Sequence, residues 1–567
     1  MDSTEWIILA LGIVLFLIFV YVRNKREIER RIENKVNNEW GKAPVRKFSH
    51  DDFENISHYF KNTVEDEETI DDITWNDLDM DRVFSLINNT YSSVGQEYLY
   101  KMLRMPAQSE VRLREFDTLV ETFRTQEDLR KDIQKSYIRL GYARTVSVSD
   151  YMEVIKELER GSNMPHFAGW LLIAAAAVVL ILNPSIGIMC FIGAIGYSVV
   201  SYYKYKAKVE PYFICVNHII KLAVCAEDIG KKGKNNPVLK PYAAKLAGLS
   251  KDFSAIVKNS MFLGAANGVD GSLAAVIMDY VRILTHIDLI KFNGMIKLIG
   301  DKKEQVNSLM EDLGILDSAI AVASFREYLE YWCRPELTES ENGKYFLKAE
   351  DIYHPLVENP VSNSIDADSC ILLTGSNASG KSTFLKTVAI NAILSQTIFT
   401  STSVSYKASY FRIYSSMALK DDISRQESYY MAEIKALKRI MDAVANENSK
   451  VPVLCFIDEV LRGTNTIERI AASSQVLFEI ASANMMCFAA THDIELTEIL
   501  ENVYANYHFQ EEVLENDISF NYRLYSGRAT SRNAIKLLSI MGYADSIIEN
   551  ADSMAEEFMK TGDWKRF

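Results

Sequence analysis

The sequence has few residues that break or cross-link a chain. Of its 567 residues, 25 are glycine and 11 are proline, while 48% are hydrophobic, so wholesale disorder is excluded and most of the chain can bury a core. The seven cysteines include no C-x-x-C pair, which argues against a disulfide framework and predicts reduced, mostly buried thiols. At ~100–200 residues per domain, this length predicts three or four domains.

Basic residues are outnumbered by acidic ones. The chain has 62 Lys and Arg against 76 Asp and Glu, a formal net charge of −14, so any contact with nucleic acid must come from a local patch. One such patch is the stretch 204–258, which contains eleven lysines and four acidic residues. It could bind DNA phosphates or, beside a membrane, anionic lipid, and the sequence favours neither.

Three long apolar runs predict membrane contact. Residues 6–22 are free of charge and are followed by arginines and a lysine, which predicts an uncleaved anchor with the N-terminus outside and the rest cytosolic. Residues 167–182 and 186–200 are separated only by Asn183-Pro184-Ser185, a turn sequence. Because lysines follow the second run, we expect a membrane hairpin with both ends in the cytosol. A buried helical pair or a re-entrant loop is the alternative.

The rest of the chain divides into two kinds of pattern. Residues 23–80 carry charge runs with little apolar periodicity and are expected to be a linker or a solvated helical arm. From about 81 to 345, outside the hairpin, apolar residues recur at helical spacing, which predicts an all-α region. From 346 onward, short β-rich runs alternate with amphipathic helices, the pattern of a parallel α/β sheet.

A phosphate-binding loop lies in this last region. The segment 375–383, GSNASGKST, fits G-x-x-x-x-G-K-[ST] and stands between an apolar strand and a helix. Its backbone N–H groups and Lys381 would hold phosphate, and the Ser382 hydroxyl would bind Mg²⁺. The predicted nucleotide-binding residues are Gly375, Ser376, Asn377, Ala378, Ser379, Gly380, Lys381, Ser382 and Thr383.

Two later strands supply candidate catalytic groups. The apolar run VLCFIDE ends at Asp458-Glu459, where Asp458 would hold Mg²⁺ and Glu459 would orient or deprotonate the attacking water. The run MMCFAATH brings His492 to a strand end, where its imidazole would face the γ-phosphate or the water; alone, such a histidine is more often structural. ATP and Mg²⁺ are therefore the expected cofactors.

The order of these motifs identifies a resemblance. TGSNASGKST, FIDEVLRGTNT and ATHDIELT resemble the phosphate loop, the Asp-Glu strand and the threonine-histidine switch of the MutS-type mismatch-repair ATPases. DDISRQESYYMAEI (421–434) resembles the family's signature loop, which implies that Ser428 reaches the nucleotide of a second subunit. The helical segment 84–106 resembles the start of the family's core and lever domain, 353–357 its entry into the ATPase domain, and 522–543 the segment that closes that domain.

The sequence also departs from that family. No G-x-F-[YF]-E wedge is found, and no room exists before residue 81 for the mismatch-reading and connector domains, so mismatch selectivity is not expected. Gln426-Glu427 stand where the family has Gly-Arg, which leaves the hydrolysis rate open.

The resemblance implies an α/β P-loop ATPase domain joined to an all-α core and lever domain, with a transmembrane anchor and an inserted transmembrane hairpin. We expect a membrane-anchored, multi-pass MutS-like ATPase with its ATPase domain in the cytoplasm, forming homodimers with composite ATP sites and holding DNA. An ATP-switched tether acting on protein or lipid is the alternative, and a transporter of the nucleotide-binding cassette type fits poorly. The expected boundaries are 1–22 (anchor), 23–80 (linker), 81–165 (core, first part), 166–203 (hairpin), 204–345 (core and lever, second part), 346–550 (ATPase domain) and 551–567 (tail).

Overall fold

A computed structural model of the chain separates into two compact units. Unit 1 comprises residues 1–67, 84–102 and 115–328, and unit 2 comprises residues 68–83, 103–114 and 329–567. The residues that the structure describes are 3–64, 68–143, 149–150, 162–259, 273–340, 344–376, 379–417, 429–445, 451–462, 464–513, 518–529, 535, 538, 542–564 and 566.

Among the described residues up to 328, the regular elements are helices. Their bounds are α1 Ser3–Glu39, α2 His50–Thr63, α3 Asp72–Asp77, α4 Met80–Ile87, α5 Ser93–Arg104, α6 Glu110–Thr125, α7 Glu127–Leu140, α8 Met164–Leu182, α9 Pro184–Gly233, α10 Lys240–Asp252, α11 Ser254–Asn259, α12 Leu273–Thr285, α13 Ile287–Gly300 and α14 Lys303–Tyr328.

Strands and helices alternate in the remaining described residues. The elements are β1 Glu336–Thr338, β2 Leu347–Ile352, β3 Asn363–Ala367, β4 Cys370–Thr374, α15 Lys381–Thr397, β5 Ser405–Ser409, β6 Arg412–Ser416, α16 Tyr429–Ala445, β7 Val453–Asp458, α17 Thr466–Ser482, β8 Met485–Ala490, α18 Ile494–Ile499, β9 Tyr504–Val513, β10 Ile518–Ser526 and α19 Asp545–Thr561. The predicted change from helical to mixed α/β sequence is therefore present.

Helix α14 forms the centre of unit 1 because small residues in it allow close packing. Gly314 lies so near α5 that a Cβ there would come within 2.6 Å of the Tyr98 Cβ. One turn later, the buried Asp317 accepts hydrogen bonds from the Ser92 hydroxyl at 2.5 Å and from the Ser92 backbone N–H at 3.0 Å. A buried carboxylate is stable only when it is hydrogen-bonded, so these contacts fix how the two segments pack.

The hairpin sequence forms helices α8 and α9. Asn183 lies between them, and its side-chain oxygen accepts from the Ile186 N–H at 3.3 Å and caps α9. By length and apolar composition, two described helical segments could cross a membrane, Met164–Leu182 and Pro184–Glu210. Only 17% and 28% of their most apolar 18-residue stretches are buried in the protein. Helix α1 contains the predicted anchor at 6–22; many of its side chains lie outside the described residues, so that anchor stays a prediction.

The larger sheet of unit 2 positions the site. Its order is β10-β9-β4-β8-β7-β6, in which β9 through β6 run parallel and β10 pairs antiparallel with β9. Strands β4 and β8 are wholly buried, as is expected for a parallel sheet covered on both faces. Their apolar side chains form the core with α16 and α17. A smaller sheet has the order β1-β5-β2-β3.

Part of the predicted linker folds within unit 2. Thr74 accepts from the Ser415 N–H at 3.1 Å, and the Asp77 carboxylate accepts from the Ser415 hydroxyl at 2.7 Å and from the Met417 N–H at 2.9 Å. Helix α3 thereby covers β6, the edge strand of the larger sheet, whose backbone and hydroxyl groups need partners. The structure thus differs from the predicted boundary at residue 80: residues 68–83 belong to unit 2, and the residues before them include helices α1 and α2.

Candidate active site

The phosphate-binding loop leaves β4 through a glycine that no other residue could replace without strain. Gly375 has φ +139°, and a Cβ on it would lie 2.6 Å from the Phe509 carbonyl oxygen. Gly380, with φ +107°, is the N-cap of α15. The loop therefore ends on the amino end of a helix, where backbone N–H groups and the helix dipole favour an anion.

Lys381 is buried and bends back over this loop. Its ammonium group donates to the carbonyl oxygens of Gly375 at 2.5 Å and Ser376 at 2.8 Å. Only 3% of the residue is exposed. A buried ammonium group held among loop carbonyls is aimed at the space that the loop encloses, so it can neutralise phosphate oxygens there.

Two hard oxygen ligands meet beside the lysine. The Ser382 hydroxyl in the first turn of α15 donates to Asp458 Oδ2 at 2.5 Å. Burial raises the pKa of the Asp458 carboxyl, and the Ser382 hydrogen bond opposes that shift. A hydroxyl and a carboxylate at this separation suit Mg²⁺, which binds through oxygen and keeps several waters.

Glu459 and His492 face each other at the ends of neighbouring strands. In the β7–β8 register Asp458 pairs with Ala490, and the Glu459 N–H donates to the Ala490 carbonyl at 2.9 Å. The next turn brings His492 Nε2 to 2.9 Å from Glu459 Oε1. Burial lowers the pKa of His492, and the Lys381 charge lowers it further while Glu459 opposes both, so the neutral imidazole is favoured as a donor to Glu459.

A small cavity of about 350 Å³ opens next to Gly380 and Thr383. Its walls come from the segment 352–363, from α15 and from the last two strands of the sheet. They include the apolar side chains of Val357, Pro360 and Phe509, and the ring of Tyr522. The cavity is therefore a mainly apolar recess continuous with the phosphate-binding loop, the character expected for a site that holds a flat organic group.

Comparison with known proteins supports the same domain. A family model described as MutS domain V matches residues 371–559. The chain is 33% identical over 225 residues to a DNA mismatch repair protein MutS of Pseudothermotoga lettingae, an alignment that covers 37% of this chain and 27% of that protein. It is 28% identical to a protein of the same name from Microcystis aeruginosa and 26% identical to one from Natronomonas pharaonis, over 49% and 47% of this chain and 32% and 31% of theirs.

Residues 371–559 are therefore similar to MutS domain V, and about half of the chain is similar to MutS proteins. The chain spans about a third of the length of the curated relatives that it matches. The predicted resemblance to the MutS family is thus confirmed, and the match to MutS domain V covers the elements of the mixed α/β region from β4 onward.

The structure brings together most of the residues singled out in this MutS-like sequence. Gly375, Ser376, Ser379, Gly380, Lys381, Ser382, Thr383, Asp458, Glu459 and His492 all lie in or beside the loop between β4 and α15, or at the ends of β7 and β8. Asn377, Ala378 and Ser428 lie outside the described residues, as do Gln426 and Glu427.

Sequence reasoning missed three charged groups that organise the site. Arg462 Nε lies 2.9 Å from Glu459 Oε2, so a cation faces the carboxylate on the side away from His492. Arg469 forms a two-point ion pair with Asp493, with distances of 2.8 and 2.6 Å, directly after the histidine. Glu433, on α16, accepts from the Arg462 backbone N–H at 3.3 Å. Arg462 is the arginine of the R-G-T-x-T continuation, so the motif could have identified it from the sequence. Arg469 and Glu433 stand in no such motif, and their roles become visible only in the folded structure.

Proposed function

We propose that this MutS-like chain is a Mg²⁺-dependent ATPase that hydrolyses ATP to ADP and phosphate in its 346–550 domain. The observation that carries the proposal is the convergence of Lys381, the Ser382–Asp458 pair and the Glu459–His492 pair beside a mainly apolar recess. Phosphoryl transfer needs little covalent chemistry from the protein, so a cradle, a metal and a water-orienting carboxylate are sufficient.

Each group has a role in that reaction. Lys381 binds the β- and γ-phosphate oxygens, and Ser382 with Asp458 would hold Mg²⁺, which would neutralise phosphate charge. Glu459 accepts a proton from the attacking water or orients it, while His492 and Arg462 hold the carboxylate in place. The recess beside Gly380 receives the base and sugar, with Tyr522 on one wall.

Phosphate release from Mg²⁺–ATP by the purified full-length protein tests this function. Turnover should require Mg²⁺ and stop on chelation, because the Asp458 carboxylate would repel phosphate oxygens unless a cation lay between them. Equilibrium binding of a fluorescent ATP analogue in the same buffer separates binding from hydrolysis. A protein that binds no nucleotide with Mg²⁺ present would overturn the proposal.

The active form of the protein is a homodimer with composite ATP sites, in which Ser428 of one subunit completes the site of the other. Support comes from the family resemblance of residues 421–434 alone. Lys381→Ala and Ser428→Arg proteins, each inactive by itself, should regain roughly a quarter to a half of parent activity when mixed, since one site per mixed dimer has two intact halves. Mixed dimers verified by mass that show no recovery would refute a serine acting across the interface.

The chain is anchored in the cell membrane with its ATPase domain in the cytoplasm. Helix α8 and the first part of α9 form a hairpin across the bilayer, and residues 6–22 form a further anchor. Support for the hairpin comes from the length and exposure of the two apolar segments, with Leu171, Ile181 and Met189 more than 70% exposed. Exposed side chains of this kind on a soluble surface would promote aggregation, whereas in lipid they are solvated.

Cysteine labelling in cells tests this topology. Cysteines introduced at Ser3 and Ser185 should react with a membrane-impermeant maleimide added outside, whereas one at Ser49 should react only after permeabilisation. The parent's exposed Cys190 must first be replaced by serine, because it lies in the same hairpin. Labelling of Ser49 but not of Ser185 in intact cells would reverse the orientation.

DNA is the proposed ligand of the helical unit, bound without selectivity for mismatches. The relevant surface is a lysine groove of about 700 Å³ between α9, α10 and α11, which we define by five exposed residues: Lys231, Lys234, Lys240, Lys251 and Lys258. Glu227 is the acidic residue in its lining and pairs with Lys231 at 2.6 Å. The net positive charge of the groove suits a phosphate backbone.

The length of α9 favours DNA over lipid at this groove. The helix continues without a break from Pro184 to Gly233, and the candidate membrane segment ends at Glu210. At a rise of about 1.5 Å per residue, Lys231 lies about 30 Å along the helix beyond Glu210. Charges interact across only about 8 Å at physiological salt, so a groove at that distance along the helix does not sense the headgroups around the hairpin.

A further inference from the structure

The turn that carries Glu459 is strained. Glu459 has φ +62° and Leu461 has φ +56°, and neither is glycine. Each left-handed residue of this kind costs about 1–2 kcal/mol, so such a conformation persists only where neighbouring groups hold it. This strain lies in the residue that is proposed to orient the attacking water, where small displacements have large consequences for rate.

The contacts that hold this turn can be identified one by one. The Glu459 N–H is fixed by the Ala490 carbonyl at 2.9 Å, and the Val460 carbonyl accepts from the Ser473 hydroxyl at 3.1 Å. The last part of the turn, at Leu461 and Arg462, is held instead by a side chain from another helix, Glu433 of α16. Its Oε1 accepts from the Arg462 backbone N–H at 3.3 Å, and the Leu461 N–H also stabilises the carboxylate.

Glu433 is placed where a carboxylate is costly. It is 3% exposed, and its second oxygen, Oε2, is buried without a hydrogen-bond partner among the described residues. Burial raises its pKa, the two backbone N–H groups lower it, and the Glu459 charge raises it again. An apolar side chain would fill this space at a lower desolvation cost. The advantage of a glutamate here is therefore its hydrogen bonding to the turn.

We propose that Glu433 is a positioning residue for the hydrolysis step: its carboxylate holds the Leu461–Arg462 backbone and so keeps Glu459 aimed at the attacking water. The inference rests on the proposed ATPase function. Helix α16 begins directly after the 421–428 segment. Under this proposal, the Glu433 side chain links that helix to the turn that carries Glu459.

The test compares two variants of Glu433. Glu433→Ala removes the acceptor and should lower kcat at least tenfold, while KM for ATP and the affinity for a fluorescent ATP analogue stay within about twofold, because Lys381 and Ser382 are untouched. Glu433→Gln keeps a carbonyl oxygen at the same reach and should restore kcat to within about threefold of the parent. Glu479→Ala, an exposed glutamate on α17, is the matched control and should change neither constant.

Hydrogen exchange gives a readout that does not depend on activity. In Glu433→Ala, backbone amides of the peptide that contains residues 459–462 should exchange at least tenfold faster, whereas in Glu433→Gln they should exchange as in the parent. Unchanged exchange in a folded alanine variant would overturn the positioning role, as would equal losses of ATP affinity and kcat. A parent that hydrolyses no ATP would refute the proposed ATPase function alone, because the exchange result would still decide the role of Glu433 in the turn.

Discussion

Lys381→Ala should lower ATP affinity by at least about 100-fold and abolish measurable turnover. The buried ammonium group is held at 2.5 and 2.8 Å by the loop carbonyls that border the phosphate site, so its removal leaves the phosphates without that cation. Charge-assisted hydrogen bonds of this kind contribute ~1.5–3 kcal/mol each, and Lys381 is proposed to make more than one. Titration with a fluorescent ATP analogue measures the loss.

Glu459→Gln should behave differently at the same site. ATP binding should stay within about threefold of the parent, because the phosphate-binding loop is intact, while turnover should fall by roughly 10²–10⁴ with the loss of the water-orienting carboxylate. Glu479→Gln, on α17, is the matched control and should keep both properties. Equal hydrolysis by parent, Lys381→Ala and Glu459→Gln would mean that the activity comes from another site.

Much of this site could be predicted because its geometry follows from neighbours in sequence. The loop 375–383 lies between its own strand and its own helix, so the motif alone defines a cradle. Asp458, Glu459 and His492 follow strands that lie beside β4 or next to its neighbour in one parallel sheet, and the carboxyl ends of parallel strands share an edge. Their convergence therefore required only that the runs be recognised as parallel strands.

The residues that were missed depend on contacts between distant segments. Glu433 meets the turn at Arg462 only because α16 packs beside β7, and no spacing in the sequence encodes that distance. The acidic residues near the start of unit 2 had the composition of a solvated linker. Asp77 nevertheless pairs with Ser415, more than 300 residues later in the chain, and periodicity does not detect partners at such separation.

The membrane prediction illustrates a different limit. Apolar length identifies a helix that could cross a bilayer, and α8 and α9 have it. The run 6–22 in α1 is apolar as well, but many of its side chains lie outside the described residues, so the anchor there stays a prediction. The length and composition of a helix indicate whether it could lie in lipid. Whether it does so depends also on which other parts of the protein pack against it.

DNA binding to the lysine groove should be steeply dependent on salt. A protein that contacts four phosphates should show a log–log slope near −3.6 and lose roughly 100-fold in affinity between 50 and 200 mM salt, because bound counterions are released on association. Perfect and mismatched duplexes should bind within about threefold of each other, since phosphate contacts carry no base information. Fluorescence anisotropy with labelled duplexes of both kinds measures the affinity and the slope.

The structure also decides which lysines to replace. Lys232 and Lys245 belong to the basic stretch, but they pair with Asp228 at 2.7 Å and Asp312 at 2.8 Å, so their loss would disturb packing within the helical unit. The informative variant replaces the exposed groove residues Lys234, Lys240, Lys251 and Lys258 by glutamine.

That variant should flatten the salt slope by about 3 to 4 and weaken binding at low salt at least tenfold, with ATP binding unchanged. A control for net charge removes the same formal charge from four exposed lysines of unit 2, Lys348, Lys407, Lys438 and Lys560, each of which pairs with an acidic neighbour at the surface, and should keep the parent slope. Equal flattening in the control would mean that net charge rather than the groove attracts DNA. Tight, mismatch-selective binding would contradict binding through phosphates alone, and no binding at low salt would favour an ATP-switched tether for protein or lipid instead.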